Sequence, residues 1–338
     1  MSTVTAHKLR EWITAFLLHA RVPEADASLI AGVRVEAALR DPLGFDGFAA
    51  RSLMHVVERL GAGGLNARPH IRVEHEDGPF AVIDGDGGIG QLVGVRAMEH
   101  CLQRVASHGI ALVGVRRSST LGGLAYYAMM ALGQEHIGFA ATNTELRIGM
   151  PPWGGVTPTL GNNPFALAIP VDEGHPIVVD MSLTATEPQG QDAGAMAHRQ
   201  ALLSSGNVAR PVIGGHKGYA LAVVLEILCG VLTGAGFGLA HAHQQVGSPA
   251  IPPDLGHLFA AVDVQRLMPL SLFKARVRML KQQIKASAHA PGVEDIFLPG
   301  ELEFERHDGR LQRGIPVTED ALQTVQALAE RLRVQLDP

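Results

Sequence analysis

The run Gly214-Gly215-His216-Lys217-Gly218-Tyr219 opens a long apolar helical stretch and sets a lysine at a helix start behind two glycines. Free backbone amides and an ammonium group can together hold an anion there. The same spacing also caps ordinary buried helices, so the run has a structural reading beside the chemical one. Further polar residues recur where strands end. Asn143-Thr144 closes one strand and Asp180-Met181-Ser182 another. Leu160-Gly161-Asn162-Asn163-Pro164 is a turn whose side chains can hydrogen-bond a carboxamide or a ribose, although Asn before Pro also opens plain turns. Asp180 can equally cap the segment that follows it. His257, between Gly256 and Leu258, reads by itself as a structural histidine, and Pro299-Gly300-Glu301 reads as a turn.

Taken in order, Leu160 to Pro164, Val178 to Ser182, Gly214 to Tyr219, Leu255 to Phe259 and Leu298 to Glu301 resemble the NAD(P)-dependent malate/L-lactate/sulfolactate dehydrogenase family. That family also holds ureidoglycolate dehydrogenase, diketogulonate reductase and the piperideine/pyrroline-2-carboxylate reductases. The resemblance runs from about Leu9 to the last helix. It implies an α/β fold with a mixed sheet, not a Rossmann fold, and a helical domain built from the N- and C-terminal regions. It also implies NAD or NADP as cofactor, held by Asn143, Thr144, Asn162, Asn163, Asp180, Met181, Ser182, Lys217 and His257. Pro299, Gly300 and Glu301 would close over its adenosine end. A small 2-hydroxy/2-oxo acid or cyclic 2-imino acid is the implied substrate, and a homodimer the implied assembly.

The chain departs from the family where the chemistry needs a proton. Relatives carry Ser-His-Gly in an early loop; here that place falls on Gly47-Phe48-Ala49 when anchored on Val57 to Leu60, or on Asp46-Gly47-Phe48 when anchored on Arg51. Relatives carry Ser-Asn-His-Phe-Gly after the first long strand, and its histidine is the expected proton donor. Here Ser118-Ser119-Thr120-Leu121-Gly122 puts Thr120 in that position. Threonine donates a hydrogen bond but holds no transferable proton at neutral pH. Asp180, Thr120 and His216 are therefore the catalytic candidates, His216 because it adjoins Lys217. A protonated imine already carries its proton, so such a substrate needs orientation more than a strong acid. The alternative function is a catalytically degenerate paralogue that binds a nucleotide or a partner without turnover. Between Asp180 and Lys217 the chain is also shorter than its relatives, which thins the cover expected over the site.

The elements that must position these residues follow from periodicity. Helices are expected from a Thr5 cap, from Pro23 to Arg40 and from Arg51 to Leu60, the last stopped by Gly61 and Gly63-Gly64. Strands are expected at Ile71–Glu74, Ala81–Ile83, Ile110–Val115, Ile137–Thr142, Phe165–Ile169, Ile177–Asp180 and Leu258–Val262. Helices are expected at 91–107 and 123–132, with a buried helix over 219–239. Leu270 to Ser287 reads as a surface helix with Lys274, Arg276, Arg278, Lys281 and Lys285 on its solvated side. Glu301 to Glu305 alternates like a strand, and Thr318 to Arg333 is a capped helix. Asp84 to Gly90 lacks the Gly-X-Gly-X-X-Gly spacing and reads as a strand-to-helix turn. The expected domains are 1–70, helical; 71–268, the cofactor-binding α/β unit; and 269–338, returning to the helical part.

With 338 residues, 46% hydrophobic and 18% charged, the chain can bury a large core. A net charge of −5 gives no basic field for nucleic acid. Glu226 and a cluster of glycines argue against a membrane span over 219–239. Cys101 and Cys229 lie in apolar helical patterns and suit a reducing, cytoplasmic setting. The spacing His241-Ala242-His243 has no nearby carboxylate or cysteine, and no metal site is expected.

Overall fold

In the computed structural model, residues 2–145, 149–184, 212–240 and 248–336 are described. The central sheet has seven strands: β2 (Arg72–Asp77), β3 (Phe80–Asp84), β4 (Ile110–Ser118), β5 (His136–Thr142), β6 (Phe165–Ile169), β7 (Ile177–Met181) and β8 (Leu255–Asp263). Their spatial order is β2-β3-β4-β8-β5-β6-β7. Only β3 and β4 pair in parallel; every other pair is antiparallel. A doubly wound dinucleotide fold needs a parallel sheet, so this is a mixed-sheet, non-Rossmann α/β fold.

Both faces of the sheet are covered. The helices α4 (Gly90–His108) and α5 (Ala125–Met130) lie over one face, in a core with Val113, Val115, Ala140, Ala166 and Phe259. The helix α6 (His216–Glu226) lies over the other, against Ala141 and Leu258. Neighbours such as Ala140 and Ala141 split between the two cores because strand side chains alternate. A third core joins α1 (Ala6–His19), α2 (Glu24–Arg40) and α3 (Gly47–Ala62) to the C-terminal helix α9 (Glu319–Leu332). The short strand β1 (Ser2–Val4) pairs there with β9 (Ile315–Val317).

Local chemistry accounts for most boundaries. Thr5 caps α1 by accepting from Lys8 N, and Asp46 caps α3 by accepting from Ala49 N. The Asp46 cap starts α3 four residues earlier than Arg51, so the stretch read as a loop is its first turn. Gly63, at φ 80°, ends α3 in the left-handed conformation that glycine favours.

Three expectations are corrected. Glu301 to Glu305 is not a strand but the start of helix α8 (Glu301–Arg313). Left-handed Gly300 (φ 92°) turns the chain, and Glu301 and Glu303 then sit in a first turn, where the helix dipole favours carboxylates. The helix expected over 219–239 stops at Glu226 and passes into a π-turn, Ile227–Val231. Only one side of it is buried, since Leu221, Val224, Ile227, Val231 and Leu232 are 38–57% exposed. The helix α7 (Leu270–Lys285) lies on the surface as expected, with no buried residue and Arg276 exposed, but most of its basic side is engaged in ion pairs rather than solvated. Lys274 pairs with Glu135 at 2.7 Å, Arg278 with Asp172 at 3.0 Å and Lys285 with Glu301 at 2.7 Å, while Leu272, Met279 and Leu280 face outward. The His241-X-His243 spacing and the shortened stretch before Lys217 fall largely or wholly outside the described residues. No helix is long and apolar enough to cross a membrane among the described residues.

Candidate active site

The polar residues singled out by sequence converge on one end of the sheet. Register aligns Thr142 with His257 across β5 and β8, Val115 with His257 across β4 and β8, and Phe165 with Met181 across β6 and β7. The loops after β4, β5 and β7 and before β6 and β8 therefore share an edge.

Within that edge an inner, buried set is distinct from an outer, accessible one. Asn143, Asn163 and His257 are fully enclosed. The Asn143 amide accepts from Gly256 N (2.9 Å) and donates to the Gly236 carbonyl (2.8 Å). Asn163 donates to the Glu226 carboxylate at 2.7 Å and to the Ala222 carbonyl at 3.2 Å. His257 Nδ1 lies 2.7 Å from the Thr142 hydroxyl, and its Nε2 is buried without a completed hydrogen bond. Burial holds this imidazole neutral, its pKa pushed down to about 3. These three side chains are enclosed in protein and brace the loops.

Thr144 and Asn162 form the outer pair. The Thr144 hydroxyl donates to Asn162 Oδ1 (2.6 Å) and accepts from Asn162 N (2.9 Å), and both residues are half-buried. Gly161 is required beneath them, because a Cβ there would come within 2.3 Å of the Thr144 carbonyl oxygen. Met181 packs against the α6-side core, and Ser182 is half-buried beside Thr184.

At the start of α6, Gly214 and Gly215 both take φ 61°, and no side chain caps the helix. Lys217 is exposed and makes no hydrogen bond or ion pair among the described residues. A helix start with free amides beside an unpaired ammonium is an anion-binding arrangement. His216 is exposed and meets the Trp153 ring edge-on at 6.2 Å. It belongs to the α6 face of the sheet.

Asp180 belongs to the opposite face. It pairs with Ala166 in register, and its Oδ2 accepts from Ala125 N at 2.8 Å, capping α5. The residue is exposed at the end of its strand, although protein crowds its carboxyl. Desolvation raises its pKa to about 6, against the pull of the Ala125 and Leu124 amides and of Arg40. Thr120, exposed, lies on the loop leading into the same helix, and that loop is tied down by Gln91, whose Nε2 donates to the Thr120 carbonyl at 3.0 Å. Asp180 and Thr120 thus flank one loop, while His216 stands across the sheet from them. Phe48 is 60% exposed on the first turn of α3.

The Pro299-Gly300-Glu301 turn lies along the edge strand β7. Val178 N donates to the Pro299 carbonyl at 3.1 Å, two residues from Asp180. The Glu301 carboxylate is committed to Leu298 N (2.9 Å) and Lys285. Two residues outside the set expected from sequence border the site: Glu226, which in sequence is only a break in an apolar run, and Arg40, whose guanidinium stacks 4.2 Å from the Phe304 ring centroid beside Asp180. A lone glutamate in a helix otherwise fit for the core was the available signal for the first. Among the described residues no group of three or more His, Cys, Asp or Glu is placed to hold a metal.

The malate/L-lactate dehydrogenase family model matches residues 4–199 and 188–326. This chain belongs to that family. Malate dehydrogenase of Pyrococcus horikoshii is 31% identical over 98% of this chain and 96% of its own length. L-sulfolactate dehydrogenase of Methanothermobacter thermautotrophicus is 30% identical over 97% of this chain and 96% of its own length. The solved structure of the Pyrococcus horikoshii malate dehydrogenase superposes with a TM-score of 0.87, covering 99% of this chain and 97% of that one.

Proposed function

We propose that this dehydrogenase-family chain is an NAD(P)-dependent oxidoreductase that moves a hydride to or from a small 2-hydroxy/2-oxo acid or a cyclic 2-imino acid. The observation that carries the reading is Asp180, an exposed residue whose carboxyl has a pKa of about 6, at the sheet end where the polar loops converge. A group poised near neutrality can give and take a proton. The residues present suit a dinucleotide: Lys217 and the free α6 amides match phosphate, and Thr144, Asn162 and Ser182 offer hydrogen bonds to ribose or carboxamide. Bound there, NAD or NADP supplies the hydride chemistry.

The chain's own residues do the rest. Asp180 holds the transferable proton on its carboxyl. Thr120 orients the substrate's oxygen or nitrogen by a hydrogen bond without providing a proton itself. Only a small part of such an acid is protonated at pH 7, so it supports reduction at reduced efficiency. A protonated cyclic imine needs no such donor. Binding without turnover is the competing reading, and it rests on Thr120 standing where relatives place a histidine. Reduction of pyruvate, oxaloacetate, 3-sulfopyruvate and pyrroline-2-carboxylate with each dinucleotide separates the two, because a non-catalytic protein binds dinucleotide and turns over none of them.

We also propose a cytoplasmic homodimer. The outward stripe Leu221, Val224, Ile227, Val231 and Leu232 recurs at helical spacing, and an apolar surface of this kind calls for a cover. A second copy of the chain is the occupant. Light scattering should give a dimer, and Val224→Glu a monomer; a wild-type monomer at micromolar concentration would refute it.

A further inference from the structure

Glu226 ends α6 inside a core made otherwise of Ala141, Leu160, Leu225, Cys229 and Leu258. Its side chain is buried, and no cation reaches it among the described residues. Three donors converge on it from three segments. Asn163 Nδ2, before β6, is 2.7 Å from Oε2. Gly238 N is 2.8 Å from Oε1, and Asn143 Nδ2, after β5, is 3.5 Å from the same oxygen. A carboxylate taken from water without a cation costs several kcal/mol in general, and an apolar side chain would fill such a core at no such cost.

The backbone around it is shaped to the same contact. The helix passes directly into the π-turn, a feature concentrated at functional sites. Gly230 in that turn lies so close to the Asn143 amide that a Cβ would stand 2.8 Å from Nδ2. Asn163 holds φ 34°, unusual for a residue other than glycine, and its Oδ1 is buried without a partner. Each anchored asparagine immediately adjoins a residue of the outer pair, Thr144 or Asn162.

We propose that Glu226 is a positioning residue for the cofactor cleft: one carboxylate locks the loops 142–145 and 161–164 together so that Thr144 and Asn162 are presented to the ligand. The lock acts through Asn143 and Asn163 and touches neither substrate nor cofactor. Its cofactor role rests on the reading of the cleft as a dinucleotide site; the lock itself does not.

The test compares Glu226→Ala and Glu226→Gln by hydrogen exchange of the ligand-free protein and by the fluorescence-monitored Kd for NADH and NADPH. Alanine removes the acceptor from the part-buried Gly238 N and leaves the buried Asn143 and Asn163 amides only their bonds to the Gly236 and Ala222 carbonyls. It should speed exchange in both loops and weaken the Kd about tenfold or more. Glutamine keeps an acceptor for Gly238 N and Asn143 Nδ2 but turns an amide N–H toward Asn163 Nδ2, which cannot flip without losing its bond to the Ala222 carbonyl. It should therefore keep 142–145 protected, loosen 161–164 alone and give a Kd between those of wild type and Glu226→Ala. Should Glu226→Ala fail to fold, Gly230→Ala keeps the carboxylate but crowds the Asn143 amide, Phe237 and the Gly236 carbonyl, and should loosen 142–145 and 236–238 while leaving 161–164 protected. Unchanged exchange in a folded Glu226→Ala, with wild type binding dinucleotide, would overturn the lock and leave the cofactor reading standing. Loosened loops with no dinucleotide binding by wild type would overturn the cofactor role and leave the lock.

Discussion

Replacing Asp180 by asparagine separates its chemical role from its capping role. Asparagine keeps an oxygen that can accept from Ala125 N, so the α5 cap survives, while the proton-holding group disappears. The folded carboxyl has a pKa of about 6 against an ordinary 3.8, chiefly through desolvation. A raised acid is one whose charged form the fold disfavours. Its cost is absent below about pH 4, grows between pH 4 and 6, and is complete above pH 6. The full displacement is worth ~3 kcal/mol, and the residue's exposure to water screens this to about 1 kcal/mol. Asp180→Asn should therefore be more stable than wild type by about 1 kcal/mol at pH 8 and equal to it near pH 3.5, read from urea titrations at both pH values. Turnover of a 2-oxo acid should fall roughly 10²–10³-fold, and the wild-type limb of kcat/KM near pH 6 should vanish. A variant that is less stable at pH 8 yet fully active would reduce Asp180 to a helix cap and refute the reasoning.

Lys217→Ala should weaken dinucleotide binding by about 1–3 kcal/mol without lowering Tm, since the ammonium has no partner within the described chain; isothermal titration and melting check both. Thr120→His should raise reduction of pyruvate and leave pyrroline-2-carboxylate nearly unchanged in steady-state assays, because only the oxo acid lacks its proton. His257 stays neutral in the fold, so the stability it confers is complete above about pH 6.5 and is lost as pH falls toward 3. His257→Gln should flatten the acid side of the stability profile, and an unaltered profile would show that another group governs acid unfolding.

Much of the sheet was legible because strand period and turn chemistry agree: Ile137 to Thr142 and Phe165 to Ile169 fall within a residue of their expected limits. Glu301 to Glu305 was not, because Glu-Leu-Glu-Phe-Glu satisfies both periods and only the left-handed Gly300 decides between them. The basic side of α7 misled for a different reason. Charge on a helix usually marks water, but here Asp172 and Glu135 supply partners from distant parts of the chain. At the site, residue types gave the right loops but not their depth. Adjacent asparagines at 162 and 163 look alike in sequence, yet backbone direction sends one outward and the other into the core. The division of Asp180 and His216 between opposite faces of the sheet likewise depends on register, which spacing along one strand does not report.

The most direct test of the central claim is loss of nicotinamide absorbance when the purified protein is mixed with NADH or NADPH and the four candidate substrates, with Asp180→Asn in parallel. The account predicts dinucleotide oxidation by wild type with at least one of them, faster for pyrroline-2-carboxylate than for pyruvate, and a roughly 10²–10³-fold slower 2-oxo acid reaction in the variant. No oxidation of either dinucleotide with any substrate, by a folded protein that binds dinucleotide, would contradict it.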